Sequence, residues 1–180
     1  SVFICTDATE DVAYIRKMAV SCGEEIPLAI PGHTAHFDGP QDLGRDRGTT
    51  KYLVPKGQTL AKSLNQIERE EGLAEVRSLL AGSMKGRTMI VRFLSLGPTN
   101  SIFSIPCAQC TDSYYVAHSE DLLYRPGYHQ FKRIENKDDF FRFIHSSGRL
   151  DERMTSIDWQ KRRIYIDYMA DEIYSVNTQY

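Results

Sequence analysis

The decisive stretch is Thr88-Met89-Ile90-Val91-Arg92-Phe93-Leu94-Ser95-Leu96, followed by Gly97-Pro98-Thr99-Asn100 and then Ile102 to Thr111. The first segment is strongly apolar and rich in β-branched and aromatic side chains, the composition of a buried strand. Gly97-Pro98-Thr99-Asn100 is a turn cluster, and the run beyond it is the expected partner strand. Tyr114–Leu123 follows as a helix. The pattern of strands and helices across the chain predicts an α/β (α+β) fold: a mixed β-sheet with flanking helices.

Working outward, Val2–Cys5 reads as a strand. Asp7-Ala8-Thr9-Glu10 has the form of a capping box, opening a helix that places Val12, Ile15, Met18 and Ala19 on one face and ends at Cys22-Gly23. Ile26 to Gly48 is long, irregular and rich in Gly and Pro; loops of this length in compact domains are usually functional. Lys51–Val54 is a short strand closed by Pro55. Gln58–Glu71 repeats Leu60, Leu64 and Ile67 near the helical period, with Gly72 breaking it and Ala74–Leu80 adding another turn or two. Asn136 is positioned to cap a helix over Lys137–His145, with Phe140, Phe141 and Ile144 inward. Arg163–Met169 alternates as a half-buried strand does, and Ile173–Val176 is the last strand.

The chain has 180 residues, 41% of them hydrophobic, enough for one ordinary core. Lys and Arg total 22 against 24 Asp and Glu, so nothing electrostatic favours a nucleic-acid partner. No apolar run is long enough to span a membrane. The chain begins Ser1-Val2-Phe3, directly in a strand and without Met or a leader, as a piece of something longer would. Four cysteines do not make a disulfide scaffold. Cys107 and Cys110 form the one C-x-x-C pair, but in a strand they face opposite sides and no second ligand pair has zinc spacing; all four are expected to be reduced, metal-free thiols.

No G-x-x-x-x-G-K-[ST] phosphate cradle and no G-x-S-x-G nucleophile elbow occurs. The remaining candidate for chemistry is the glycine-rich loop from His33 to Gly48. One reading takes His33, His36 and Asp38 as metal ligands. The other takes Arg45 or Arg47 as an anion grip among glycines that let backbone approach a ligand. Against it stands simple surface pairing with Asp42 and Asp46. Lys85 and Arg87 are expected to be solvated or salt-bridged at a strand entrance. His118 has no identifiable partner and is expected to be structural. Trp159, Tyr165, Tyr168 and Tyr174 are expected to pack the sheet.

Met84-Lys85-Gly86-Arg87-Thr88-Met89, Ser95-Leu96-Gly97-Pro98 and Thr111-Asp112-Ser113-Tyr114-Tyr115-Val116 occur in this order and spacing in GTP-dependent phosphoenolpyruvate carboxykinases. The chain resembles the amino-terminal domain of that family. The resemblance implies that residues 1–180 are the substrate-side domain of a longer enzyme, with the nucleotide- and metal-binding domain outside this chain. It implies a lyase that converts oxaloacetate and GTP to phosphoenolpyruvate, GDP and carbon dioxide in gluconeogenesis, in the cytoplasm, with Mn2+ or Mg2+. The family's Asp-x-x-Arg, which precedes a strand, stands here as Asp42-Leu43-Gly44-Arg45 before Lys51–Val54, so Arg45 is implied as the catalytic, substrate-binding arginine. The family's Tyr-Gly-Gly-Asn tyrosine, beside the substrate carboxylate, corresponds to Tyr180, after which this sequence has no glycines. The expected partners are oxaloacetate or phosphoenolpyruvate and the carboxyl-terminal domain, with no nucleic acid and no membrane; the 180 residues alone are expected to be inactive. The alternatives are a non-catalytic domain that binds small anions or a partner, and a metal-dependent enzyme using His33, His36 and Asp38.

Overall fold

The computed structural model describes residues 1–39, 41, 47–136 and 139–179. In chain order the elements are β1 (Val2–Ile4), α1 (Thr9–Ser21), β2 (Ile26–Pro27), β3 (Thr34–Ala35), β4 (Thr50–Val54), β5 (Gln66–Glu68), α2 (Arg69–Leu80), β6 (Met89–Leu96), β7 (Ile105–Thr111), α3 (Tyr114–Leu123), β8 (Arg125–Pro126), α4 (Tyr128–Phe131), β9 (Phe141–Ser146), β10 (Arg163–Asp167) and β11 (Glu172–Val176). Among the described residues, nine strands make one mixed sheet in the order β1-β6-β7-β9-β11-β10-β4-β5, with β8 paired to β6; β2 and β3 form a separate ribbon. The expected α/β fold is what the chain adopts. The antiparallel β6–β7 pair runs from Ile90↔Thr111 to Leu96↔Ile105 across the Gly97–Asn100 turn.

Each face of the sheet has its own core. On the Ile90 face, Cys5, Ile15, Ala19, Tyr114 and Ala117 pack together beneath α1 and α3. On the other face, Leu53, Tyr165, Tyr174 and Val176 pack against Leu73 and Val76 of α2. The predicted inward face of α1 is the observed one, with Ile15 and Ala19 fully buried.

Three local expectations are corrected. Asp7 does not cap α1. Its φ is +66° and its carboxylate accepts from the Tyr128 amide at 2.7 Å, while Asp11 turns back to Thr6. Gln58–Glu71 is not one helix. Gln66–Glu68 is the edge strand β5, and Glu68 accepts from the Glu70 and Glu71 amides to start α2, which runs straight through Gly72. Gly72 is needed there because a Cβ would lie 2.4 Å from Leu53 Cδ2. Close helix–sheet approach outweighs the weak helix propensity of glycine.

The third correction concerns 139–145, which is not helical. Phe141–Ser146 is the central strand β9, parallel to both β7 and β11. Two neighbouring ladders decided the matter over local spacing, the usual way tertiary pairing overrides propensity. Lys137 and Asp138 of the expected helix lie outside the described residues.

Candidate functional site

Strands β7, β9 and β11 are mutually parallel neighbours. Their carboxyl ends carry Thr111-Asp112-Ser113, His145-Ser146-Ser147-Gly148 and Asn177-Thr178-Gln179, all at one edge of the sheet. In open α/β sheets, ligands bind at the carboxyl ends of parallel strands.

Asp112 is the hub. Its side chain is fully buried and accepts from Ser146 Oγ at 2.7 Å, the Ser147 amide at 2.9 Å and Arg87 Nη2 at 2.9 Å. Arg87 also donates to the carbonyls of Ser83 and Gly148. Arg87 is therefore salt-bridged, as expected. A parallel chain links Thr111 Oγ1 to His145 Nδ1 at 2.7 Å and His145 Nε2 to the Thr178 carbonyl at 3.2 Å. A carbonyl only accepts, so Nε2 carries the proton and Nδ1 takes the Thr111 hydroxyl. The conspicuous GRT and TDS segments thus act as the scaffold that fixes the three strand ends.

The long loop is tied to the same edge. The Glu24 carboxylate accepts from Ser113 Oγ at 2.5 Å and from the Tyr114 and Tyr115 amides, capping α3 from a distance in sequence. His118, expected to be partnerless, meets Glu25 at 2.6 Å, and both are buried. His36 sits on the Tyr115 ring with centroids 3.5 Å apart, and its Nδ1 donates to the Glu24 carbonyl at 2.6 Å. His36 Nε2 lies 3.3 Å from Asp38, but His33 is exposed. Among the described residues no group of three His, Cys, Asp or Glu could hold a metal ion, so the His33, His36 and Asp38 reading fails.

Beyond Asp38 the loop reaches β11. The Gly39 amide donates to Gln179 Oε1 at 2.7 Å, and Gln179 Nε2 donates to the Met154 carbonyl at 2.7 Å. Contact is close enough that a Cβ on Gly39 would stand 2.4 Å from Thr155 Cγ2. Buried Arg162 donates from Nη1 to the Gln41 carbonyl at 2.8 Å. On the far side of the loop, Asn65 donates to the Arg47 carbonyl and the Ile164 amide to that of Thr49. Arg45 and Tyr180, with Asp42, lie outside the described residues. Of their described neighbours, Gly39 meets Gln179, and Gln41 lines the same cavity as Gln179. These three positions carry no motif, and no sequence signal could have singled them out.

Two depressions adjoin this edge. A cavity of about 320 Å³ is lined by Gln41, Thr155, Ser156, Trp159 and Gln179. A wider groove of about 900 Å³ shares Asp151 and Ile157 with it and carries Lys85, Arg87, Arg149 and Lys161. Arg149 is bound to Asp158 at 2.7 Å, which pulls that carboxyl below its usual range. The cationic excess favours an anion in this neighbourhood.

The entire chain, residues 1–180, matches the family described as phosphoenolpyruvate carboxykinase N-terminal domain. The chain belongs to the phosphoenolpyruvate carboxykinase family. A relative from Pyrococcus horikoshii, named phosphoenolpyruvate carboxykinase [GTP], is 55% identical over 179 residues, covering 99% of this chain. One of the same name from Saccharolobus solfataricus is 46% identical over 180 residues, and one from Chlamydia felis is 28% identical over 148. The chain spans 29%, 28% and 25% of the length of these carboxykinases. No helix among the described residues is long and apolar enough to cross a membrane.

Cys107 and Cys110 face opposite sides of β7, as their spacing predicts, and all four cysteines are free. Burial pushes the Cys107 thiol up to about 12, with Glu120 adding to the shift.

Proposed function

We propose that residues 1–180 are the amino-terminal, substrate-side domain of a GTP-dependent phosphoenolpyruvate carboxykinase, acting within a longer polypeptide. The reaction is the conversion of oxaloacetate and GTP to phosphoenolpyruvate, GDP and carbon dioxide, serving gluconeogenesis in the cytoplasm with Mn2+ or Mg2+. The observation that carries this reading is the bond between Gly39 and Gln179, because it brings the root of the Arg45 loop to the residue beside Tyr180. Gly39 and Gln179, separated by most of the chain, are thereby anchored at one edge of the sheet.

The roles follow from side-chain chemistry. The Arg45 guanidinium grips the substrate anion with two parallel hydrogen bonds and stabilises the enolate as its charge develops. Tyr180 offers a hydroxyl donor to the substrate carboxylate. The groove that carries Lys85, Arg87, Arg149 and Lys161 raises the local concentration of a dianionic substrate. The described residues do not fit a metal ion, and the sequence has no phosphate-binding G-x-x-x-x-G-K-[ST] loop. On this reading metal and nucleotide are bound mostly by the part of the enzyme beyond these residues.

The test is steady-state kinetics of Arg45→Lys and Arg47→Lys in the longer enzyme. Lysine keeps the charge but not the planar two-point grip. Losing one charge-assisted contact of about 1.5–3 kcal/mol lowers kcat/KM roughly 10- to 150-fold. Arg47→Lys is expected to stay near parental. A near-parental Arg45→Lys, or a larger loss at Arg47, overturns the assignment.

A further inference from the structure

The connection from α2 to β6 and the connection from β9 to β10 line the groove of about 900 Å³ beside the strand ends. Its walls are tied together. Residues 81–87 are a run of turns in which the Ala81, Ser83, Lys85 and Arg87 amides donate to the Arg77, Leu80, Gly82 and Met84 carbonyls. Arg87 links this run to the other connection through the Ser83 and Gly148 carbonyls. Asn177, just past β11, donates from Nδ2 to the Lys161 carbonyl at 3.1 Å. A ligand entering the groove therefore meets walls that are already ordered, which spares it that cost.

The charges in the groove do not cancel. Asp158 is taken up by Arg149, which donates to it at 2.7 and 2.8 Å. Asp151 Oδ1 accepts from the Arg153 and Thr155 amides, both at 2.9 Å, and closes a turn of its own connection. The Arg77 and Leu80 carbonyls at the end of α2 are engaged, which blunts the partial negative charge a helix terminus sets against an anion. Lys85 and Lys161 are exposed and make no ion pair among the described residues. Arg87 Nη1 and Ser83 Oγ belong to the same lining and are buried without a hydrogen-bond partner. A guanidinium nitrogen can only donate, and a hydroxyl can donate. Unmet donors beside unpaired ammonium groups call for an acceptor that carries negative charge. A phosphate dianion suits donors on different walls better than a planar carboxylate, because its oxygens point in several directions and it carries more charge.

We propose that this groove is a binding site for a phosphate dianion, free or carried on a small organic molecule, with Lys85 and Lys161 supplying charge and Arg87 Nη1 and Ser83 Oγ supplying fixed hydrogen bonds. The site is separate from the proposed Arg45 and Tyr180 contacts, since Gly39, Gln41 and Gln179 are not among its lining residues. It goes beyond the carboxykinase reaction and does not depend on it. Arg87 also holds Asp112, so one guanidinium joins the bound anion to the buried hub of the strand ends.

The experiment footprints lysines in the longer polypeptide. Limiting N-hydroxysuccinimidyl acetate acetylates exposed lysines, and mass spectrometry reads the rate at each one as inorganic phosphate is titrated. Sodium chloride keeps the ionic strength constant, so that general screening does not vary. Lys56 and Lys62 are exposed, lie off the groove and serve as references. The expected result is a several-fold slowing at Lys85 and Lys161 with a shared midpoint and no change at the references. Lys161→Met weakens the protection of Lys85, and Lys85→Met weakens that of Lys161; both positions are exposed, so neither change threatens folding. Phosphoenolpyruvate titrated in parallel separates the sources: a lower midpoint than that of inorganic phosphate assigns an organic phosphate, and an equal or higher one assigns the free anion. In Arg45→Lys the protection persists. Its loss there would place the anion at the substrate contacts and overturn the proposal. Slowing shared by Lys56 and Lys62, no slowing at either groove lysine, or protection of Lys85 indifferent to Lys161→Met would overturn it too. The readout needs no turnover, so an inactive protein with the expected footprint refutes the proposed reaction and leaves the anion site standing.

Discussion

The Gly39 amide and the Gln179 side chain meet at 2.7 Å across 140 positions of sequence. Gln179 is suited to this place because its amide supplies one acceptor, to Gly39, and one donor, to the Met154 carbonyl. A carboxylate there would lose the donor and a lysine the acceptor. The bond converts a long glycine-rich loop into a segment with a fixed root. A loop can present an arginine to a ligand within the tolerance chemistry needs only when its base is held by rigid elements. Arg162, gripping the Gln41 carbonyl from the position just before β10, is the second fixed point.

Gly72 gives the first prediction. Gly72→Ala raises helix propensity by about 1 kcal/mol, which alone would stabilise α2. The new methyl would meet Leu53 Cδ2 at 2.4 Å and Ile67 Cγ2 at 3.0 Å, and Leu53 is fully buried. Overpacking of a tight core costs about 1–3 kcal/mol, so the crowding wins. Urea unfolding should show a lower midpoint for the variant. An equal or higher midpoint would mean that α2 lifts off the sheet at little cost.

Glu120 gives a pH prediction. Its folded-state carboxyl is raised to about 8, chiefly by burial, above the ordinary glutamate value. The native state therefore holds the proton more tightly than the unfolded chain. Stability is greatest below the unfolded value and falls as pH rises toward about 8. Asp11 runs the other way. Hydrogen bonds from Thr6 lower its carboxyl, so its contribution is present above the ordinary aspartate value and is lost in acid. Unfolding free energies measured from pH 5 to 8.5 should decline with a slope that Glu120→Gln flattens. A slope unchanged by Glu120→Gln would place the titration elsewhere.

What the sequence made legible was set by how local the determining contacts are. β6, its turn and β7 were readable because the apolar run and the Gly-Pro cluster sit side by side. α3 was readable because Ser113 caps the helix it precedes, accepting from the Val116 amide at 3.1 Å. β9 was not, since Phe140, Phe141 and Ile144 read as the inward face of a helix, and what makes this segment a strand is β7 on one side and β11 on the other. The site divides in the same way. Arg45 and Tyr180 entered through family likeness. Asp112 with Arg87 and Gly39 with Gln179 are long-range pairs that leave no trace in a linear pattern.

The last prediction concerns Asp112 and Arg87. The Asp112 side chain is fully buried and that of Arg87 is 28% exposed. Asp112→Asn leaves the guanidinium without its counter-charge and can turn an amide donor toward Ser147 N–H or Arg87. Breaking a buried pair from one side costs about 3–5 kcal/mol, and the partial exposure of Arg87 brings the expectation down to about 2–4 kcal/mol. Arg87→Met alone should also destabilise, because it strands the carboxylate and frees the Gly148 carbonyl. The double variant should lose less than the sum, since the second change removes the charge that the first left unpaired. A coupling of at least about 1 kcal/mol in a double-mutant cycle from urea unfolding is the expected outcome. Additive losses would mean that Asp112 works through Ser146 and Ser147 alone, and that the arginine of the GRT segment is held by the Ser83 and Gly148 carbonyls independently of the carboxylate.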